Sequence, residues 1–120
     1  MVLVNVFRNY RRKPDRKNYK FGHLHRMYPY SSKLGVSNSR KAPQVVAVEP
    51  WATDYTLFPD EELEVIAFGE SAVPWFNVVE RDGTTQVYCE NTVDFKVVQG
   101  DRELECGHQR QAEPPDAMDS

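Results

Sequence analysis

From Leu34 onward, apolar and polar residues alternate with a period of two, and Gly, Pro, Asn and Asp break the alternation at short intervals. Successive side chains of a strand point to opposite faces, so this period predicts half-buried strands. "LGVSN", "PQVVAVEPW", "TDYTLF" and "EELEVIAFG" all read this way, the last setting Leu63, Val65 and Ala67 against Glu62, Glu64 and Ile66. Glu and Leu favour helices, yet the run from Asp60 to Phe68 closes at Gly69 before three helical turns are complete. So short a helix has little stability of its own, and a strand is predicted instead.

Two hairpins carry the most local information. In "FNVVERDGTTQVYCE" the pair Asp82-Gly83 suits a type I′ turn, whose two central residues both need positive φ. The turn sets the register: Arg81 faces Thr84, Glu80 faces Thr85, Val78 faces Val87 and Phe76 faces Cys89. Phe76, Val78, Val87 and Cys89 then share an apolar face, with Asn77, Arg81, Gln86 and Tyr88 on the other. In "TVDFKVVQGDRELECGH", a turn at Gly100-Asp101 sets Val97 opposite Leu104 and Phe95 opposite Cys106. The inward set is Val93, Phe95, Val97, Leu104 and Cys106, which places both cysteines of the chain on apolar faces.

The segment before Leu34 differs. Between Arg8 and Lys41 there is neither a helical stripe nor sustained alternation, and Pro14 and Pro29 interrupt any long element. "MVLVNVF" alternates and suits a short strand, but no partner for it can be read from the sequence. The organisation predicted is an irregular basic arm over 1–30, a domain over 31–108, and a polar, Pro-bearing tail over 109–120 expected to be disordered. Met27, shortly before the domain, would serve as an alternative translation start leaving residues 1–26 outside the natural protein. Six or seven short strands with turn signals at close spacing predict an all-β fold, a small antiparallel β-sandwich that is Ig-like or barrel-like.

The stretch Leu34 to Cys106 resembles a group of small bacterial proteins that share "EPW", "YTL", a Pro-acid turn and a final hairpin pair. The residues that carry the resemblance are Asn38, Pro43, Glu49, Pro50, Trp51, Tyr55, Thr56, Leu57, Pro59, Glu62, Val65, Ala67 and Gly69. It covers about 70 of the 120 residues, omits the arm, and implies a compact β domain without implying an activity. Such sequences usually carry Gly after "EPW" and after the turn proline; here Ala52 and Asp60 stand there.

Composition narrows the class. With 40% hydrophobic and 28% charged residues the chain is ordinary for a soluble globular protein. No apolar run approaches the roughly 20 residues of a membrane span. The N-terminus is apolar before it is basic, the reverse of a secretory signal, so a cytoplasmic location is expected. Two cysteines make no disulfide framework and match no zinc spacing; reduced, buried thiols are expected. Charge is strongly segregated. Residues 1–41 hold 11 Lys/Arg and one acid, and residues 42–120 hold 4 Lys/Arg and 17 acids.

Candidate chemistry follows from these patterns. The acids of "EPWATDYTLFPDEELEV" would serve glycoside hydrolysis only if two of them faced one cleft. Alternation instead puts Glu62 and Glu64 on a solvent face and Asp60 and Glu61 at a turn, where they solvate the sheet and restrain edge pairing. Glu49 and Asp54 bracket Trp51 and precede Tyr55, and Pro-Trp recurs at Trp75. Glu49, Trp51, Asp54, Tyr55 and Trp75 are the candidate interaction surface, where ion pairing and stacking would receive a basic peptide or a sugar. The competing role for both tryptophans is packing at strand ends. Cys89, Cys106 and His108 are metal-ligand types without a recognised spacing, and no metal site is assigned. No phosphate loop, metalloprotease helix or nucleophile elbow occurs, so neither a cofactor nor catalytic residues are assigned.

The arm offers Arg8, Arg11, Arg12, Lys13, Arg16, Lys17, Lys20 and Arg26 interleaved with tyrosines, a composition that neutralises phosphates and stacks bases. The acidic body competes for the same arm, within one chain or between copies. The function expected is therefore non-enzymatic: a protein-interaction or accessory module, self-association included. The alternative is nucleic-acid binding through the arm.

Overall fold

The structure, a computed structural model, describes the backbone of residues 2–9 and residues 27–109. Among these residues the fold is all-β, with strands β1 (Val2–Asn9), β2 (Tyr30–Asn38), β3 (Gln44–Glu49), β4 (Thr53–Leu57), β5 (Glu62–Gly69), β6 (Trp75–Arg81), β7 (Thr84–Glu90), β8 (Asp94–Gln99) and β9 (Arg102–Glu103). They form a five-stranded sheet, β1-β2-β5-β8-β9, and a four-stranded sheet, β4-β3-β7-β6. Every neighbouring pair is antiparallel except β3 and β7, which run parallel with Val46 beside Thr85 and Val48 beside Val87. No helix among the described residues is long and apolar enough to cross a membrane.

One side chain in two along strands β2 to β8 turns toward the space between the sheets. Leu34, Val36, Leu63, Val65 and Val97 of the five-stranded sheet meet Val46, Val48, Tyr55, Leu57, Val87 and Cys89 of the other in one buried cluster. The arrangement is a sandwich, because that cluster draws on the inner faces of both sheets. Trp51, in the β3–β4 turn, bridges the two layers by packing its ring on Phe95 of β8, centroids 4.4 Å apart.

Buried polar residues tie the loops to this core. Asn38 ends β2 and satisfies its whole side-chain amide: Nδ2 donates to the carbonyls of Ala42 and Leu57 at 2.9 Å each, and Oδ1 accepts from the Arg40 amide at 2.8 Å. The β2–β3 loop and the end of β4 are thereby held together. Gln44 and Thr85, both fully buried, bond to one another at 2.9 Å, and Gln44 accepts from Arg40 Nη1 at 3.0 Å. With the Val45 amide donating to the Gly83 carbonyl at 2.9 Å, these contacts anchor the β6–β7 turn.

Several expectations change in the folded protein. "MVLVNVF" lies within β1, which pairs along its whole length with β2, Val4 opposite Val36 and Arg8 opposite Ser32. The start of the segment read as an irregular arm is thus an edge strand, and β2 itself begins at Tyr30 rather than Leu34. Arg11, Arg12, Lys13, Arg16, Lys17, Lys20 and Arg26 lie outside the described residues, as does the tail from residue 110. The strand at Glu62–Gly69 forms as predicted, but Ile66 and Phe68 are buried too, on the face away from the sandwich core. They cluster there with Val98 and with Tyr28, which precedes β2 and packs against Phe68, ring centroids 6.4 Å apart. Period-two alternation reports one buried face; it cannot report a second that an irregular segment covers.

Ala52 and Asp60 sit at φ +58° and +68°. These turns require the left-handed conformation that an L side chain adopts at a cost.

Candidate functional site

The outer face of the four-stranded sheet is set by the strand registers. Inward side chains of β3, β4 and β7 are the buried ones, so Val45, Ala47 and Glu49, Asp54 and Thr56, and Thr84, Gln86, Tyr88 and Glu90 face out. On β6 the outward residues are Trp75, Asn77, Val79 and Arg81, standing opposite Glu90, Tyr88, Gln86 and Thr84. Glu49 of β3 flanks Tyr88 on its other side, and Asp54 flanks Ala47. The result is a face with Trp75 and Tyr88 as aromatic patches, amides at Asn77 and Gln86, and carboxylates at Glu49, Asp54 and Glu90. Trp75 is an exposed large apolar side chain on it, at 43%.

Of the five residues singled out from sequence, this face takes three: Glu49, Asp54 and Trp75. Trp51 and Tyr55 turn the other way, into the core, which corrects their assignment to an interaction surface. Tyr55 is 4% exposed, and burial pushes its phenol above the ordinary range. The physical reason is strand parity: Asp54 and Tyr55 are neighbours and must point to opposite faces. Tyr88, Asn77 and Glu90 join the site instead. The hairpin register already set Asn77 and Tyr88 on one outward face, and that signal was sufficient to find them.

The acids of the "EPW…" stretch act on their own turns. Glu49 Oε1 accepts from the Ala52 amide at 3.0 Å, and Glu61 Oε1 from the Phe58 amide at 2.7 Å and from Gln109 Nε2 at 2.9 Å. Glu62 takes the Ser37 hydroxyl at 3.3 Å. No two of these carboxylates are aimed together into a cleft by these bonds.

Cys89, Cys106 and His108 do not converge. Cys89 faces the core of β7, 8% exposed, and burial raises its thiol to about 12, with Glu90 adding to the effect. Cys106 is exposed and points its Sγ at Asp54 Oδ1, 3.9 Å away. This corrects the reading of Cys106 as a buried thiol. After Leu104 the chain leaves β8 and runs beside β4 instead: the Gly107 amide donates to the Asp54 carbonyl at 2.7 Å, and the Thr56 amide to the His108 carbonyl at 3.0 Å. His108 thus bridges to Tyr55 in parallel, with its Nε2 buried and without a partner among the described residues. An open depression of about 380 Å³ is lined by Arg102, Glu103, Glu105, Cys106, Gly107 and His108.

Comparison with protein-family models, with curated proteins and with solved structures finds no match to this chain.

Proposed function

We propose that the protein is a non-enzymatic binding module that works by protein–protein contact through the outer face of its four-stranded sheet and the adjoining edge strand β6. The observation that carries this reading is Trp75: a large aromatic side chain, 43% exposed, at the edge of a face that also presents Tyr88, Asn77 and Gln86. Aromatic residues anchor protein interfaces, because they bury a large area at small entropic cost, and amides around them supply directional bonds. A sheet edge with no paired strand among the described residues adds a row of backbone donors and acceptors for an extended partner.

A panel of extended peptides, binding followed by amide chemical shifts of the labelled full-length chain, tests this. Expected perturbations map to β6 and to Tyr88 and Glu90, and Trp75→Ala weakens binding by at least about tenfold, the scale of an interface anchor. Peptides that perturb only other surfaces, or a Trp75→Ala protein that binds as well as the parent, would overturn it. Titration with a generic nucleic-acid single strand at low salt serves as the competing arm: tight, salt-sensitive binding unaffected by Trp75→Ala would favour the basic N-terminal segment as the functional element.

A further inference from the structure

We propose that the partner received by β6 is a second copy of this chain, the two β6 strands pairing antiparallel so that their four-stranded sheets become one continuous sheet; this rests on the reading of β6 and its outer face as a protein-contact surface.

The phase of the hydrogen bonds makes the edge available. Asp82 and Gly83, at φ +48° and +81°, close a two-residue type I′ turn, and in such a hairpin the flanking pair, Arg81 and Thr84, exchanges both of its backbone bonds. Bonded and non-bonded pairs then alternate. Val79, Asn77 and Trp75 also bond to β7, and Phe76, Val78 and Glu80 turn their N–H and C=O groups away from it, toward the free side of the sheet. No strand is paired on that side among the described residues. The β6–β7 register runs unbroken from Trp75 to Arg81, with no bulge, proline or lysine in the strand to blunt it. The opposite edge of the same sheet is treated differently, for the segment at Gly107 and His108 covers β4.

The strand is complementary to itself. An antiparallel pair about a twofold axis through Val78 sets Val78 against its own copy, Phe76 against Glu80, Asn77 against Val79 and Trp75 against Arg81. In this register all of the outward-turned groups of Phe76, Val78 and Glu80 meet partners of the same phase, and the whole seven-residue strand overlaps. Trp75 and Arg81 both project on the outer face, so at each end of the pair a guanidinium of one copy lies across from the exposed indole of the other. That contact is a favourable cation–π arrangement. Shifting the register shortens the overlap and separates these ends.

The test combines sedimentation of the full chain over a wide concentration range with amide hydrogen exchange at its two extremes. Dimer formation is expected, and the amides of Phe76, Val78 and Glu80 should gain protection only where the dimer is populated. Those of Asn77, Val79 and Arg81 should be protected throughout, because β7 holds them. Arg81→Glu should weaken the dimer about tenfold or more, with no drop in melting temperature at dilutions where the parent protein is monomeric. Val78→Pro should abolish dimerisation, and Arg81→Glu keeps the test decisive if the proline variant fails to fold. A monomer at every concentration, with the three edge amides exchanging freely, would overturn self-pairing; peptide shifts at Trp75 and Tyr88 would then still stand for the module itself. A dimer that leaves these three amides unprotected, for example one joined through β1, would overturn it as well.

Discussion

The β6–β7 hairpin keeps its pairing from the turn at Asp82-Gly83 to Trp75 and Glu90, whereas β8 and β9 pair only at Val98–Glu103 and Gln99–Arg102 before the chain departs. Both are closed by short glycine turns, and in both alternation aims a cysteine inward. Near its turn the second hairpin obeys the same rule: the Leu104 amide donates to Val97 at 2.7 Å, and both side chains are buried. Two residues later the rule has lapsed, because residues 107 and 108 find backbone partners on β4 in the other sheet. The difference teaches that alternation assigns a face only while a strand stays paired, and that a competing edge can end the pairing.

Thiol labelling of the native protein breaks or upholds this comparison most directly. Cys106 should react at once and Cys89 at least roughly 10³-fold more slowly, since exposing Cys89 means opening a core whose global stability is of order 5–15 kcal/mol. Denaturation should make the two alike. Equal native rates would place both cysteines in the same environment and erase the contrast between the hairpins.

Alkaline titration probes the buried thiol of the first hairpin. The Cys89 thiol is raised by burial to about 12 in the folded protein, so above the ordinary thiol value near 9 the unfolded chain sheds its proton first. The folded state then binds more protons than the unfolded, and stability falls as pH rises, by up to about 1.4 kcal/mol per unit, until the folded value is passed. The stabilisation is whole below about 9 and lost by about 12. Tyr55, raised in the same direction, adds to the loss at the upper end. Denaturant midpoints across this range should fall less steeply in Cys89→Ala than in the parent protein.

Truncations along the two hairpins sharpen the comparison in stability. Val87→Ala, at a fully buried position, should cost about 2–3 kcal/mol in urea unfolding, and Val93→Ala, at a position 45% exposed, less than about 0.5 kcal/mol. Alternation assigned both to the interior. A large loss at Val93 would mean that β8 begins earlier than Asp94.

The smallest effect concerns turns. Gly83 supplies positive φ without strain, but at Ala52 the same conformation is held by a residue with a Cβ. Ala52→Gly should raise stability by about 1 kcal/mol, relief of left-handed strain being offset in part by the greater freedom of glycine in the unfolded chain. A destabilised variant would show that the Ala52 side chain contributes packing that outweighs its strain.

Sequence alone determined what depends on neighbours in the chain. The β6–β7 register follows from Asp82-Gly83, because a two-residue loop leaves one pairing with no freedom to slip, and the inward faces of β2, β3 and β5 follow from period-two alternation. The outward set of Asn77, Gln86 and Tyr88 was legible for the same reason, and it holds much of the candidate site. Tertiary structure decided everything that depends on which strands meet. The pairing of β1 with β2, the parallel contact of β3 with β7, the second buried face at Ile66, Phe68 and Val98, and the exposure of Cys106 all join segments distant in sequence. No turn dictates such contacts; they are chosen by which apolar faces and free backbone edges are covered together, a competition that local pattern cannot express.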